Sequence, residues 1–582
     1  MSGTTTVHQS RRWWAPRITT LLTSAGVAIT LLTAPPAAAA PAATDVGTNG
    51  AAVPKLTWGP CPGEDPAPGT GPAFDCTTAA IPLDYDDVDG ETIELALRRR
   101  LADNKAARIG SLFINPGGPG GSGVDLVAVA GAIYTPQVLA RFDIIGFDPR
   151  GVARSSPLTC LESEQAAIDF LASQPPFPLT EEEEQDYITD QETFAAACEK
   201  LGGPILAHMS TGNVARDLDL LRSAVGDEQL TYAGYSYGSQ LGQTYANLFP
   251  DKVRAMLIDG VVDPMAWTTG AGGADQGEPF TTRLRSDEGA FAALQEFFRL
   301  CEAAGTERCA LAADNPQKTF DELAVDLQED PVEVPTGYGG FQRIGYPDLV
   351  SITLGALYAP QAWTDLALLI ANLVELRDTD AAGNAYQRLL TIVPRQEPVG
   401  PGDPSEPDPP QTIEGFPGVA CLDSDNPPLS EWPEVAREAD ERVPYFGRLW
   451  TWAGASCGVW PARDDGRYGG PWTAQTATPV LVIGTRFDPA TRYEGAERAA
   501  DLLPKSRLLT LEGWGHTAAG VSTCINDSVT AYLVTQVLPA DGSVCPPDVE
   551  PFTAVPAPTA GLDERGTARA RMFSPPPGAT VG

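Results

Sequence analysis

The sequence predicts an α/β protein: a mostly parallel central sheet with flanking helices, interrupted by an inserted, mainly helical cap. Three observations predict it. Short apolar runs bounded by Gly, Pro or Asp recur at residues 111–114, 142–147, 230–233 and 255–258, as strands buried on both faces do. Between two of these runs Val214, Leu218, Leu221 and Val225 recur at helical spacing, and strand–helix alternation places helices on the faces of a parallel sheet. After Asp263-Pro264 the strand rhythm stops until about residue 471 and resumes at 479–483 and 507–511, so chain beyond the interruption completes the sheet.

Taken in order, residues 1–40 read as a secretory signal. Arg11, Arg12 and Arg17 form its basic start, 18–32 are mostly apolar, and alanines at 37–40 suit a signal peptidase. About fifteen apolar residues are short for a membrane span, so cleavage and no stable membrane association afterwards are expected. Ser10-Arg11-Arg12 also permits a twin-arginine route. Residues 41–265 hold the first part of the core, opening with an Ala-, Pro- and Gly-rich leader to about residue 72. Ile93, Leu95 and Leu97 then alternate with Glu94, Ala96 and Arg98 behind the Asp89-Gly90 turn, the pattern of a β-hairpin. The cap is assigned to 266–475 and contains a stretch at 397–412 too rich in Pro, Asp and Glu for a packed element. Residues 476–545 close the core, and 546–582 form a Pro- and Ala-rich tail expected to carry little order.

Composition narrows the partners. With 39 Lys+Arg against 76 Asp+Glu, a formal charge of −37 repels phosphate backbones and anionic membranes, which argues against nucleic acid. Ten cysteines fit export into an oxidising space. Pairing between neighbours is expected: Cys61 with Cys76, Cys160 with Cys198, Cys301 with Cys309, Cys421 with Cys457, Cys524 with Cys545. Their spacing lacks the short Cys pairs with His partners of a zinc site.

Chemistry concentrates in Gly234-Tyr235-Ser236-Tyr237-Gly238, between the run 230–233 and a helical stretch. This is the strand–turn–helix context of a nucleophile elbow and identifies the α/β-hydrolase fold, with Ser236 lifted clear of the sheet. A serine hydroxyl needs an adjacent base. The chain has three histidines: His8 lies in the signal, His208 precedes Ser236 and reads as a surface or packing residue, and only His516, in Gly515-His516-Thr517, follows it in the order this fold expects. Asp488, in Phe487-Asp488-Pro489 after the run 479–483, is the candidate acid that orients the imidazole; Asp259 is the reserve. An oxyanion needs backbone donors: the Tyr237 amide, and one from the glycine-rich loop 115–123, Gly118 in preference to Gly117. That loop matches neither a P-loop ending nor the dinucleotide fingerprint.

With these residues in place the chain resembles the secreted bacterial tripeptidyl aminopeptidases, relatives of the prolyl aminopeptidases. The likeness spans residues 58–545. It rests on 115–123, Asp148-Pro149-Arg150-Gly151 with Ser155-Ser156, the elbow, Phe487-Asp488-Pro489 and Gly515-His516. Pro116 stands where prolyl aminopeptidases carry a His before the paired glycines, which favours the tripeptidyl branch. The resemblance implies a cap over the sheet, no metal or organic cofactor, and release of short peptides from substrates with a free N-terminus. The family's acidic cap residues that hold the substrate ammonium find no match by motif. An ester hydrolase on the same fold is the alternative, since acyl chemistry alone does not separate esters from amides.

Overall fold

The computed structural model describes residues 47–62, 74–270, 277–335, 341–377 and 413–553. The expected signal segment, the loop 397–412 and the tail from 554 lie outside the described residues.

Its frame is a ten-stranded sheet. In chain order the strands are β1 (Gly59–Pro60), β2 (Phe74–Pro82), β3 (Thr92–Arg100), β4 (Gly110–Asn115), β5 (Phe142–Phe147), β6 (Leu230–Tyr235) and β7 (Val253–Asp259), followed after the cap region by β10 (Val480–Phe487), β11 (Arg507–Trp514) and β12 (Val544–Cys545); β8 (Val332–Pro335) and β9 (Phe341–Ile344) form a separate antiparallel pair. The spatial order is β1-β2-β3-β5-β4-β6-β7-β10-β11-β12. Pairing is antiparallel from β1 to β5 and parallel from β5 to β12.

The apolar runs behave as their composition requires. Every residue of β4, β5 and β6 is buried. Because side chains alternate across a strand, Leu112, Ile114, Ile144, Leu481 and Ile483 enter one apolar cluster, while Phe113, Ile145, Val480 and Val482 enter another on the opposite face. Helices Thr211–Ala224, Tyr237–Leu248 and Tyr493–Leu502 contribute to the second cluster, and Thr523–Thr535 to the first. The hairpin expected around Ile93 is β2–β3, with Ile93, Leu95 and Leu97 buried and Glu94 exposed.

Between β7 and β10 the regular elements of the described chain are helices apart from β8–β9, which periodicity did not reveal because each strand has only four residues. The longest of its described helices is Ser286–Ala304, and the nine-residue helix Gly415–Asp423 starts against the loop 115–123. Phe297, Leu349, Trp363, Trp432 and Trp452 from this region share one apolar cluster with Leu112 and Ile483 of the sheet, so cap and sheet have a continuous core. All five neighbour pairs of cysteines are disulfides, from Cys61–Cys76 to Cys524–Cys545. Among the described residues no helix is long and apolar enough to cross a membrane.

Candidate active site

Ser236 stands between β6 and the helix Tyr237–Leu248 with φ 56° and ψ −127°, a conformation costly for a residue with a side chain. Its neighbours make that turn possible. A Cβ on Gly234 would lie 2.1 Å from the Gly238 oxygen, and one on Gly238 would lie 2.7 Å from the Asn115 oxygen. Backbone bonds hold the strain in place: Ser236 N donates to Asp259 O at 2.9 Å, and Ser236 O accepts from Ser239 N at 2.8 Å and Ser239 Oγ at 2.6 Å. Ser236 is half-buried in a run of buried residues, so its hydroxyl sits where the packed surface opens.

The loop 115–123 lies against this turn. A Cβ on Gly117 (φ 97°) would fall 2.4 Å from Tyr235 O, 2.8 Å from Ser236 Cβ and 2.8 Å from Tyr237 N, so only glycine permits the approach. The Gly117 amide is committed to Asn115 Oδ1 at 3.0 Å, which gives Gly117 a steric part rather than the donor's part considered for it. Gly118 (φ 105°) has no such bond among the described residues.

Asp488 and His516 meet at the same edge of the sheet. Asp488 follows β10 and His516 follows β11; each is 1% exposed. His516 Nδ1 lies 2.9 Å from Asp488 Oδ1 and 3.0 Å from Oδ2. The carboxylate also accepts from Ala490 N and Thr491 N, each at 2.9 Å, from Thr491 Oγ1 at 3.0 Å and from Thr517 N at 3.3 Å. With the carboxylate accepting, Nδ1 carries the proton, and Nε2 is the basic nitrogen on the opposite side of the ring. The cap fixes the imidazole from outside: His516 N donates to Tyr358 O at 2.9 Å, and the Tyr358 ring meets the imidazole edge-on at 4.9 Å between centroids. Asp259-Gly260 bridges the two halves. Asp259 O receives the Ser236 amide, and a Cβ on Gly260 would lie 3.2 Å from His516 Cε1.

The reserve acid has a different task. Asp259 receives Ala518 N on both oxygens, at 2.9 and 3.0 Å, and so anchors the chain just past His516. His208 is half-buried before the helix Thr211–Ala224, its carbonyl accepting from Arg150 Nη1 at 3.0 Å. The Asp148-Pro149-Arg150-Gly151 segment is a tie: Arg150 is fully buried, pairs with Asp217 at 2.6 Å and donates to the carbonyls of Pro82 and Leu83. Asp148 receives Ser122 Oγ at 2.5 Å, pinning the far end of the loop 115–123.

Sequence reasoning missed Thr491, whose hydroxyl three residues beyond Asp488 was a legible turn signal, and Tyr358, whose contact with His516 leaves no local trace.

Two family models match the chain: one described as alpha/beta hydrolase fold over residues 110–284, and one described as TAP-like protein over residues 443–545. The serine protease Hip1 of Mycobacterium tuberculosis is 34% identical over 504 residues, covering 84% of this chain and 91% of that protein. The tripeptidyl aminopeptidase of Streptomyces lividans is 31% identical over 495 residues, covering 82% and 84%. A carboxylesterase B of Mycobacterium tuberculosis is 30% identical over 533 residues, covering 89% and 95%.

Proposed function

The chain belongs to the tripeptidyl-aminopeptidase-like family of α/β-hydrolases and is a serine hydrolase, and from that premise we propose that it is a secreted exopeptidase releasing short peptides, tripeptides in the first instance, from the free N-terminus of peptide substrates. The observation that carries the reading is the Asp488–His516 pair at 2.9 Å, linked through Asp259-Gly260 to the strained turn that presents Ser236.

In this reading Ser236 Oγ attacks the scissile carbonyl while His516 Nε2 takes its proton. The oxyanion is held by the amides of Tyr237 and Gly118, and Gly117 supplies the close approach between them. His516 then gives the proton to the departing amine as the C–N bond breaks, leaving an acyl-Ser236 ester. Water, deprotonated by the same imidazole, hydrolyses that ester. Asp488 holds the Nδ1–H tautomer and stabilises the imidazolium between the two transfers. Residues between β7 and β10 lie against the site, Tyr358 on His516 and Gly415 on the loop 115–123, which supports access by chain ends rather than by loops of folded protein. Five disulfides fit an exported protein, and the basic, apolar and alanine-rich start supports secretion.

The test is incubation of the purified enzyme with free and N-acetylated peptides, identifying fragments by mass. Release of tripeptides from free peptides alone is expected. Equal cleavage of blocked and free peptides would overturn exopeptidase action. A second reading, ester hydrolysis, draws on the carboxylesterase B relative. Turnover of short-chain esters with none of any peptide would favour it.

A further inference from the structure

Resting on the serine-hydrolase reading of Ser236, we propose that Asp423 is a positioning residue: through Thr211 it fixes the Tyr237 side chain, and with it the turn that carries Ser236 and the Tyr237 amide.

The relay is continuous and buried. Asp423 ends the nine-residue helix Gly415–Asp423. Its Oδ1 accepts Thr211 N at 2.8 Å, and its Oδ2 accepts Thr211 Oγ1 at 2.5 Å and Trp267 Nε1 at 3.0 Å. Thr211 Oγ1 lies 2.5 Å from the Tyr237 hydroxyl. Thr211 has one hydroxyl proton, and the carboxylate claims it. The Tyr237 hydroxyl therefore donates to Thr211, and the polarity of the whole chain is set by Asp423. Trp267, held by the same carboxylate oxygen, packs on the Tyr237 ring at 5.5 Å between centroids. The phenol is thus fixed at its tip and along its side.

The opposite end of the same helix reaches the other oxyanion arm. A Cβ on Gly120 would lie 3.1 Å from Gly415 C and Phe416 N, so the loop that presents Gly118 abuts the helix start. One short helix from beyond the sheet thus abuts one amide-bearing segment directly and reaches the other through Thr211. The Cys421–Cys457 disulfide ties it down, and Arg467 Nη1 donates to the Asp423 carbonyl at 3.2 Å. Burial pushes the Asp423 carboxyl up to about 6, opposed by the Thr211 and Trp267 hydrogen bonds and reinforced by the nearby charge of Asp464. A costly buried carboxylate saturated by three donors suits bracing, and leaves it little capacity to receive a substrate ammonium.

The experiment uses the full chain with Tyr237→Phe, Thr211→Val and Thr211→Ser. It measures kcat and KM on a peptide amide and the rate of Ser236 labelling by a fluorophosphonate. Tyr237→Phe and Thr211→Val are expected to lower kcat about 10-fold, with KM changed less than about 2-fold and labelling slowed in parallel. Thr211→Ser, which keeps the hydroxyl, restores both. Wild-type kcat and labelling in Tyr237→Phe, which loses one oxygen and keeps the fold, would overturn the proposal even if Thr211→Val fails to fold. Labelling that persists in Ser236→Ala would instead sink the serine-hydrolase reading on which the proposal rests.

Discussion

The imidazole of His516 is oriented entirely by its surroundings: Asp488 takes Nδ1, Tyr358 takes the backbone amide, and Gly260 leaves room at Cε1. Removing the proposed nucleophile or base removes the proposed relay, so Ser236→Ala and His516→Ala are each expected to lower kcat by at least ~10³-fold with the thermal unfolding midpoint nearly unchanged. Retention of even a tenth of the activity by either variant would contradict the assignment. Gly117 makes a different kind of prediction. At φ 97° and 2.4 Å from Tyr235 O, an added methyl forces the loop off the elbow; Gly117→Ala should destabilise by about 1–3 kcal/mol and reduce kcat as well. Denaturant unfolding and kinetics on one preparation check both. At this scale Ser236, Asp488 and His516, the residues proposed for catalysis, stand out in the sequence because each sits in a short motif and the chain has three histidines to choose from. Tyr358 does not, since its carbonyl and ring reach His516 from 158 residues away with no local signal.

The helix Gly415–Asp423 carries its own testable consequence. Its terminal carboxyl, shifted by burial from the usual 3.8 to about 6, binds a proton more tightly in the native chain than in the unfolded one. Protonated, Asp423 therefore favours the native state. That contribution is complete below about pH 4 and is lost as pH rises through about 6, a swing of about 3 kcal/mol. The unfolding midpoint of wild type relative to Asp423→Asn should accordingly increase as pH is lowered from 7 to 4. A difference that stays flat across that range would show the carboxyl to be solvated. The strands illustrate how much of an element the sequence discloses. Apolar runs marked where β4, β6, β10 and β11 lie, yet β6 runs on to Tyr235, β10 to Phe487 and β11 to Trp514. Gly234, Gly484-Thr485-Arg486 and Glu512-Gly513 interrupt the apolar runs before each strand closes on an aromatic residue, so the apolar pattern stops before pairing does.

At the scale of the whole molecule, the disulfides among the described residues are built into the core: Cys160, Cys198, Cys301, Cys309 and Cys545 are each at most 1% exposed. Cys421–Cys457 closes a separation of 36 residues and holds the helix that reaches the elbow. The double variant Cys421→Ser, Cys457→Ser should lose about 2–4 kcal/mol of stability. Denaturant titration gives that loss, and a midpoint equal to wild type would make the bridge incidental to stability. Kinetics of the same variant should show a fall in kcat, because the freed helix no longer braces the oxyanion segments.

The sequence by itself determined the sheet, the interruption by helices and the identity of the three residues proposed for catalysis. Each of these is encoded locally: alternation and apolar runs select strands, two glycines around a serine select a sharp turn, and chain order singles out one histidine. Only the tertiary structure decided how these residues are held. Beyond the Asp488–His516 pair that the motifs anticipated, the Tyr358 support of His516 and the Asp423–Thr211 bond join residues 158 and 212 positions apart in the chain. A hydrogen bond acts over about 3 Å of space and is indifferent to sequence separation, so no local pattern could announce which distant residues would come within its reach.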